Sequence, residues 1–235
     1  MLKITPILCR AGKMDNYAYL LVDEASGMAA VLDPSEAAPI IAECERQQIT
    51  PTYIFNTHHH FDHVEGNSEL KQKYGAKVVG AAVDCYRIPE FDIGLEDGDI
   101  FKLGESEAQI IAADGHTIGH ILWYFAKDKA LFTGDTLFNL CIGGLFEGTP
   151  QQMWHSLQKI RALPEDTLFY PGHEYTRYGL VECRHNPLAH AYAVKAEQRL
   201  NAGLPAGPFT LGEEKLCNPY LSAPDLNRFY QLLNS

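Results

Sequence analysis

Thr57-His58-His59-His60-Phe61-Asp62-His63 places four of the ten histidines and one carboxylate within six consecutive positions, directly after the apolar run Tyr53-Ile54-Phe55. Neutral imidazole and ionised carboxylate are the ordinary forms at pH 7, and both ligate metals. An internal cluster at the end of an apolar strand sits where α/β folds place their chemistry, which argues against a solvated His-rich loop. The stretch therefore reads as a metal site. On extended backbone His58 and His60 point the same way and can share an ion, while Asp62 and His63 can turn toward another.

Outward from this stretch, segments 4–8, 17–22 and 29–32 predict three antiparallel strands. Asp33-Pro34 predicts a helix cap and first turn, with the helix ending near Gln48. Residues 51–55 form the strand that delivers the histidines, Asn67 caps a helix over 68–74 stopped by Gly75, and 77–80 is a further strand. The span 83–98 reads as a surface connection. Strands follow at 100–103, 108–112, 121–125, 130–132 and 168–170, with a helix opened by Thr149-Pro150 between the last two. Met153, Trp154, Leu157 and Ile160 recur on that helix at helical spacing and read as core. Beyond Tyr175 the pattern turns helical, with helices at 188–200 and 225–233 around a Gly/Pro-rich linker at 203–212.

Three more polar residues each follow an apolar strand beside a glycine: His116 after Ile110-Ile111-Ala112, Asp135 after Leu131-Phe132, and His173 after Leu168-Phe169-Tyr170. Glycine lets the backbone turn sharply, so side chains from different strands can converge. With His58, His60, Asp62 and His63 this makes seven candidate ligands, too many for one zinc and suited to two metals. Asp62 and Asp135 are the candidate catalytic carboxylates, and Asp135 has two oxygens with which to bridge ions about 3.5–4 Å apart.

Composition bounds the rest. In 235 residues, 46% hydrophobic and 21% charged, the chain can bury a substantial core. Its N-terminus lacks a signal-peptide pattern and no apolar run is long enough to span a bilayer, which predicts a cytoplasmic protein without membrane association. The six cysteines are scattered without a CxxC pair and read as reduced thiols. A formal net charge of −11 without a basic block weighs against nucleic acid as a partner.

The set T-H-x-H-x-D-H at 57–63, G-H-T-x-G-H at 115–120, F-T-G-D-T-L-F at 132–138 and G-H-E-Y-T at 172–176 resembles the metallo-β-lactamase superfamily and, within it, the glyoxalase II (hydroxyacylglutathione hydrolase) family. The triplet Glu147-Gly148-Thr149 and the element Asn218-Pro219-Tyr220 add to this resemblance. It implies an αββα sandwich, a hydrolase domain over 1–175 and a helical substrate-binding region over 176–235. It also implies that His58, His60 and His116 bind one metal, that Asp62, His63 and His173 bind the other, and that Asp135 bridges. The implied cofactors are two divalent ions, zinc first, with iron or manganese as alternatives. The implied reaction is hydrolysis of glutathione thioesters, S-lactoylglutathione to lactate and glutathione, by a metal-bridging hydroxide in a monomeric enzyme of methylglyoxal detoxification. The alternative is hydrolysis of another thioester or of a non-glutathione acyl substrate.

Tyr175, Gly144, Phe146 and Cys141 are the expected substrate contacts, and His59 and His120 are expected to support the ligands from behind. The chain departs from the family pattern where glutathione is held. Gly144 stands at a basic position, Phe146 lacks a hydroxyl present in some members, and the run 221–225 directly after Tyr220 holds no cation. Arg177, Arg184 and Arg228 read as ordinary surface arginines, and His155, His185 and His190 as surface or packing residues. Asp114, where the family often has proline, reads as a turn residue or a partner of a ligand histidine.

Overall fold

The β-rich runs of the first third pair as expected. Strands β1 (Leu2–Cys9), β2 (Asn16–Asp23) and β3 (Ala29–Leu32) are antiparallel neighbours. They are followed by helix α1 (Ala37–Gln47), strand β4 (Tyr53–Phe55), the short helix α2 (Phe61–Val64), helix α3 (Asn67–Tyr74), and strands β5 (Lys77–Ala81) and β6 (Phe91–Leu95). Strands β3 to β6 are parallel, completing a six-stranded sheet in sequence order. Strands β7 (Ile100–Leu103), β8 (Ser106–Ala112) and β9 (Ile121–Phe125) form an antiparallel meander.

This computed structural model describes residues 1–183 and 186–234, so Arg184 and His185 lie outside the described residues. The chain divides into two units, the first of Met1–Ala112 with Gly119–Asp128 and the second of Ala113–Ile118 with Lys129–Ser235. In the first unit, alternate residues of each strand serve opposite faces, as the period of two dictates. Ala18, Leu20, Val31, Ile54 and Val78 pack against Ile40, Cys44 and Leu70 of α1 and α3. On the opposite face Phe55 stacks on Trp123 at 4.1 Å between ring centroids and meets Phe101 edge-on at 5.2 Å. Such pairs add roughly 0.5–1.5 kcal/mol each beyond their buried area. The cluster at 57–63 leaves the carboxyl end of β4, anchored between these two packed faces.

The second unit holds β10 (Ala130–Gly134), the hairpin β11 (Leu137–Phe138) and β12 (Cys141–Ile142), α4 (Pro150–Arg161), β13 (Leu168–Pro171), α5 (Thr176–Cys183), α6 (Ala189–Asn201), β14 (Phe209–Thr210), α7 (Leu211–Cys217) and α8 (Leu226–Leu233). Strand β13 runs parallel to β10 and antiparallel to β14. Thr149 caps α4 in a reciprocal capping box with Gln152, and Met153, Leu157 and Ile160 are buried, as their spacing predicts. Trp154 packs on Phe229 of α8 at 5.5 Å, and Tyr192 of α6 stacks on Phe209 at 3.8 Å.

Several local expectations change. Asp33 is not a helix cap: it lies in the left-handed region at φ 49, is buried, and Glu36 occupies the cap position of α1. Asn67 is the first residue of α3 rather than its cap, because its amide pairs with Asn56 at 2.9 Å. The span 83–98 contains β6, whose Phe91, Ile93 and Leu95 alternate with Asp92 and Gly94. The short strands β11, β12 and β14 and the helices α2, α5 and α7 also lie where no strand or helix was assigned. Helix α7 follows a Gly/Pro-rich stretch but begins with its own capping box, Thr210 with Glu213. All six cysteines are free thiols, four of them buried, with Cys85 exposed and Cys141 half-buried.

Candidate metal centre

In the first unit the histidine run turns immediately after β4. His58 and His63 are buried, with ring centroids 4.3 Å apart, and the half-buried His60 lies 4.7 Å from His58. Asp33 organises them. Its Oδ1 accepts the Thr57 backbone N–H at 2.8 Å, and its Oδ2 accepts the Thr57 hydroxyl at 2.7 Å. The same Oδ2 takes the His63 Nδ1–H at 3.2 Å. Because the Thr57 hydroxyl donates to Asp33, its oxygen is left to accept the His58 Nδ1–H at 3.0 Å. Both imidazoles are thereby fixed with the lone pair on Nε2, the nitrogen available to a metal.

Asp62 is set by Asn16, whose side-chain amide donates to its Oδ2 at 2.9 Å and to its backbone carbonyl at 3.0 Å. Asp62 Oδ2 lies 3.5 Å from His63 Nε2. Asn56 donates to the His63 carbonyl at 3.1 Å, which fixes the turn of α2. Donor atoms of Asp33, His58 and His63 lie within 4.8 Å of one another. The oxygens of Asp33 are engaged by Thr57 and His63, which makes it a holder of ligands. His59 Nδ1 faces the buried Asp84 at 3.2 Å and its Nε2 faces Arg87 at 3.3 Å, so both ring nitrogens have protein partners. His120 is fully buried and stacks on His58 at 4.9 Å.

In the second unit, His116, Asp135 and His173 are all buried. One carboxylate oxygen, Asp135 Oδ2, lies 3.4 Å from His116 Nε2 and 3.2 Å from His173 Nε2. His116 Nδ1 donates to the Gly144 carbonyl at 2.7 Å, and since a carbonyl only accepts, Nε2 carries the lone pair. Loop 141–149 folds closely over this group. A Cβ on Gly143 would meet the Asp135 carbonyl oxygen at 1.8 Å, so only glycine fits, and a Cβ on Gly148 would meet Gly115 backbone atoms at 2.6 Å. The Glu147 carboxylate accepts the Ile118 N–H at 2.8 Å.

The expected substrate contacts also lie in this unit. Tyr175 is half-buried and stacks on His173 at 4.5 Å, while Phe146 is 74% exposed and stands edge-on to His116 at 5.1 Å. Gly144 is exposed, and an added Cβ would meet only the Phe146 ring at 3.4 Å. Cys141 is half-buried, and its carbonyl accepts the Asn218 amide at 3.2 Å. Arg177 donates to Asn201 at 3.3 Å and Arg228 to Gln231 at 3.3 Å. The Asp114 carbonyl accepts the Ser156 hydroxyl at 2.7 Å, a packing contact with α4.

His58, His63 and His116 thus present Nε2 lone pairs, and in each unit buried imidazoles gather beside a carboxylate, a donor set that fits divalent cations. Of the residues that hold this set, Asn16 and Asn56 were missed by the sequence reading and Asp33 was read as a helix cap. Asp33 and Asn56 follow apolar strands, as His116, Asp135 and His173 do, but neither stands beside a glycine.

The model of the metallo-β-lactamase superfamily matches residues 11–173. The chain is 48% identical over 222 residues to a hydroxyacylglutathione hydrolase of Pelagibacter ubique, covering 93% of each. It is 45% identical over 213 residues to a hydroxyacylglutathione hydrolase of Rhodospirillum rubrum, covering 89% of this chain and 83% of that one. Among solved structures, ETHE1 from Myxococcus xanthus superposes with a TM-score of 0.77 at 23% identity, covering 99% of this chain and 90% of that one, a likeness of fold. The chain belongs to the metallo-β-lactamase superfamily and, within it, to the hydroxyacylglutathione hydrolases, the glyoxalase II family.

Proposed function

We propose that this protein hydrolyses glutathione thioesters, taking S-lactoylglutathione to lactate and glutathione. The observation that carries the reading is the 48% identity with a hydroxyacylglutathione hydrolase over 93% of the chain. Following the family motif, we assign His58, His60 and His116 to one metal and Asp62, His63 and His173 to the other, with Asp135 shared. Zinc is the preferred ion, with iron and manganese compatible with the same ligands. When bound, such ions supply Lewis acidity and lower the pKa of water to near 7.

The residues of the chain supply the rest. Asp33 and the Gly144 carbonyl hold the ligand imidazoles in the required tautomer. Asn16 orients Asp62, and Asp62 and Asp135 bring negative charge that the cations offset. Hydrolysis adds the oxygen of water to the acyl carbon and breaks the C–S bond, and the sulfur leaves as thiolate. A thiol of pKa about 8.5 departs without a strong general acid, so no further proton donor is required. Tyr175, Phe146, Gly144 and Cys141 are assigned to the substrate side, and residues 176–235 to substrate binding. His59 and His120 support the ligand run from behind.

The partner is a small thioester, and we place the enzyme in the cytoplasm as a monomer. Among the described residues, no helix is long and apolar enough to cross a membrane. A second reading, a thioester with a carrier other than glutathione, is favoured by Gly144 and Phe146 and by the run Leu221-Ser222-Ala223 after Tyr220, where cations and a hydroxyl would hold glutathione. A panel of S-lactoylglutathione, other acyl thioesters, lactones and a β-lactam tests both, with metal content measured on the same sample. The first reading expects S-lactoylglutathione to be the fastest substrate. Preference for another thioester supports the second, and no turnover of any thioester contradicts both.

A further inference from the structure

Glu214 of α7 is fully buried behind the loop that carries Gly143 and Gly144. Its hydrogen-bond partners are all neutral. The Leu140 N–H donates to both carboxylate oxygens at 3.1 Å, the Tyr192 hydroxyl to Oε1 at 2.5 Å, and the Asn218 amide to Oε2 at 2.9 Å. A buried carboxylate without a cation costs folding free energy unless such donors compensate it. Leu140 is itself in the left-handed region at φ 65, where a branched side chain is rarely found. The Asn218 amide that donates to Glu214 also donates to the Cys141 carbonyl at 3.2 Å, and the Cys183 thiol faces the Leu140 carbonyl at 3.6 Å. Residues 140 and 141 are thus held at both N–H and C=O by side chains of the C-terminal segment. Two residues further on, Gly143 lies against the Asp135 backbone, and Gly144 accepts from His116.

We propose that Glu214, acting through the Leu140 amide with Asn218 and Tyr192, is a positioning residue that sets loop 140–144 and so the orientation of His116 and the substrate side of the centre. The activity readout rests on the thioesterase reading above, while the loop readout does not. The ionisable groups facing Glu214 are Tyr192 on α6 and Glu213 and Cys217 on α7, while Cys183 on α5 faces the Leu140 and Cys217 carbonyls. Burial raises the Tyr192 hydroxyl well above its ordinary value and the Cys217 thiol to about 11, and the Thr210 backbone hydrogen bond and Lys195 hold the Glu213 carboxyl low despite its burial. Burial also raises the Glu214 carboxyl to about 7. Protonation leaves the site intact but weakens it as an acceptor, because Tyr192 can turn its O–H toward Asn139 Oδ1 at 3.3 Å and accept from Glu214 instead.

The test is hydrogen–deuterium exchange of the 139–144 amides in metal-loaded, full-length protein, read with steady-state kinetics. Glu214→Gln places amide hydrogens against donors, so exchange in 139–144 should quicken roughly tenfold, the equivalent of one lost hydrogen bond. The value of kcat/KM for S-lactoylglutathione should fall by a similar factor with metal content unchanged. Local opening breaks the Leu140 bond without exposing Glu214, and the ionised carboxylate is the stronger acceptor, so wild-type protection of these amides, corrected for intrinsic exchange, should be greater at pH 8 than at pH 6, and flat in Glu214→Gln. Tyr192→Phe, which keeps the carboxylate and loses one donor, should lie between the two and serves if Glu214→Gln does not fold. Unchanged exchange at 139–144 in these variants overturns the proposal. A responding loop in a protein that turns over no thioester supports the loop assignment and contradicts the thioesterase reading.

Discussion

The two units present their candidate ligands in different ways. In the first unit His58, His60, Asp62 and His63 come from one continuous stretch at the end of β4, and Asp33, one strand away, sets the tautomer of two of them. In the second, His116, Asp135 and His173 come from three distant segments, and the loop that fixes His116 is held from α7. A contiguous cluster backed by a sheet is tied mainly to metal chemistry. In the dispersed one, the loop that holds His116 also carries Gly144 and Phe146, so a change on that loop can reach both. The departures from the family pattern at Gly144 and Phe146 lie in that second unit.

The largest effect should come from the residue shared by two imidazoles. Asp135→Ala should abolish thioester hydrolysis beyond the ~100-fold that loss of an outer partner typically costs, and should lower bound metal. Near-normal activity with metal retained would refute its shared role. Asp33→Asn should then cost roughly 10–100-fold in metal affinity, measured by competition with a chelator. Asparagine tolerates the left-handed backbone of residue 33, so the loss reports the carboxylate and not the turn. If Asp33→Asn proves silent, the first unit is not organised as described, and the contrast between the units fails.

Smaller effects sharpen the second half of the contrast. Gly144→Lys is sterically open and restores a cation, so KM for a glutathione thioester should fall several-fold, about 1 kcal/mol or more for a charged hydrogen bond. An unchanged KM would show that this loop is not where glutathione is held. Glu214 offers a test through stability. Its carboxyl is raised by burial from 4.5 to about 7, so the folded state binds the proton more tightly than the unfolded state between those values. Its contribution therefore falls as pH rises through that window, and the cost is complete above the folded value. Relative to Glu214→Gln, the wild type should gain stability as pH drops from 8 to 5, on the order of 1.4 kcal/mol per unit of raised pKa. A difference in Tm that does not vary with pH would contradict this.

The same contrast explains what could be read from the sequence. Strand ends are legible because apolar runs stop at polar residues, and His116, Asp135 and His173 were found that way, added to the four candidates of the dense run at 57–63. Strand β6 was not, because its alternation of Phe91, Ile93 and Leu95 lies in a span where Pro89, Gly94 and acidic residues read as a turn. The role of Asp33 was misread because Asp-Pro before a helical pattern is also a cap signal, and only pairing with Thr57 and His63 decides between the two. Glu214 was invisible for a similar reason: a glutamate in a short helix looks solvated until the tertiary fold buries it against Leu140, 74 residues away.

The most direct test of the account is one sample of purified protein assayed for bound metal and for S-lactoylglutathione hydrolysis, before and after chelation. The account predicts two equivalents of divalent metal, hydrolysis lost on chelation, and recovery when zinc is returned. Turnover undiminished after the metal is stripped would contradict it.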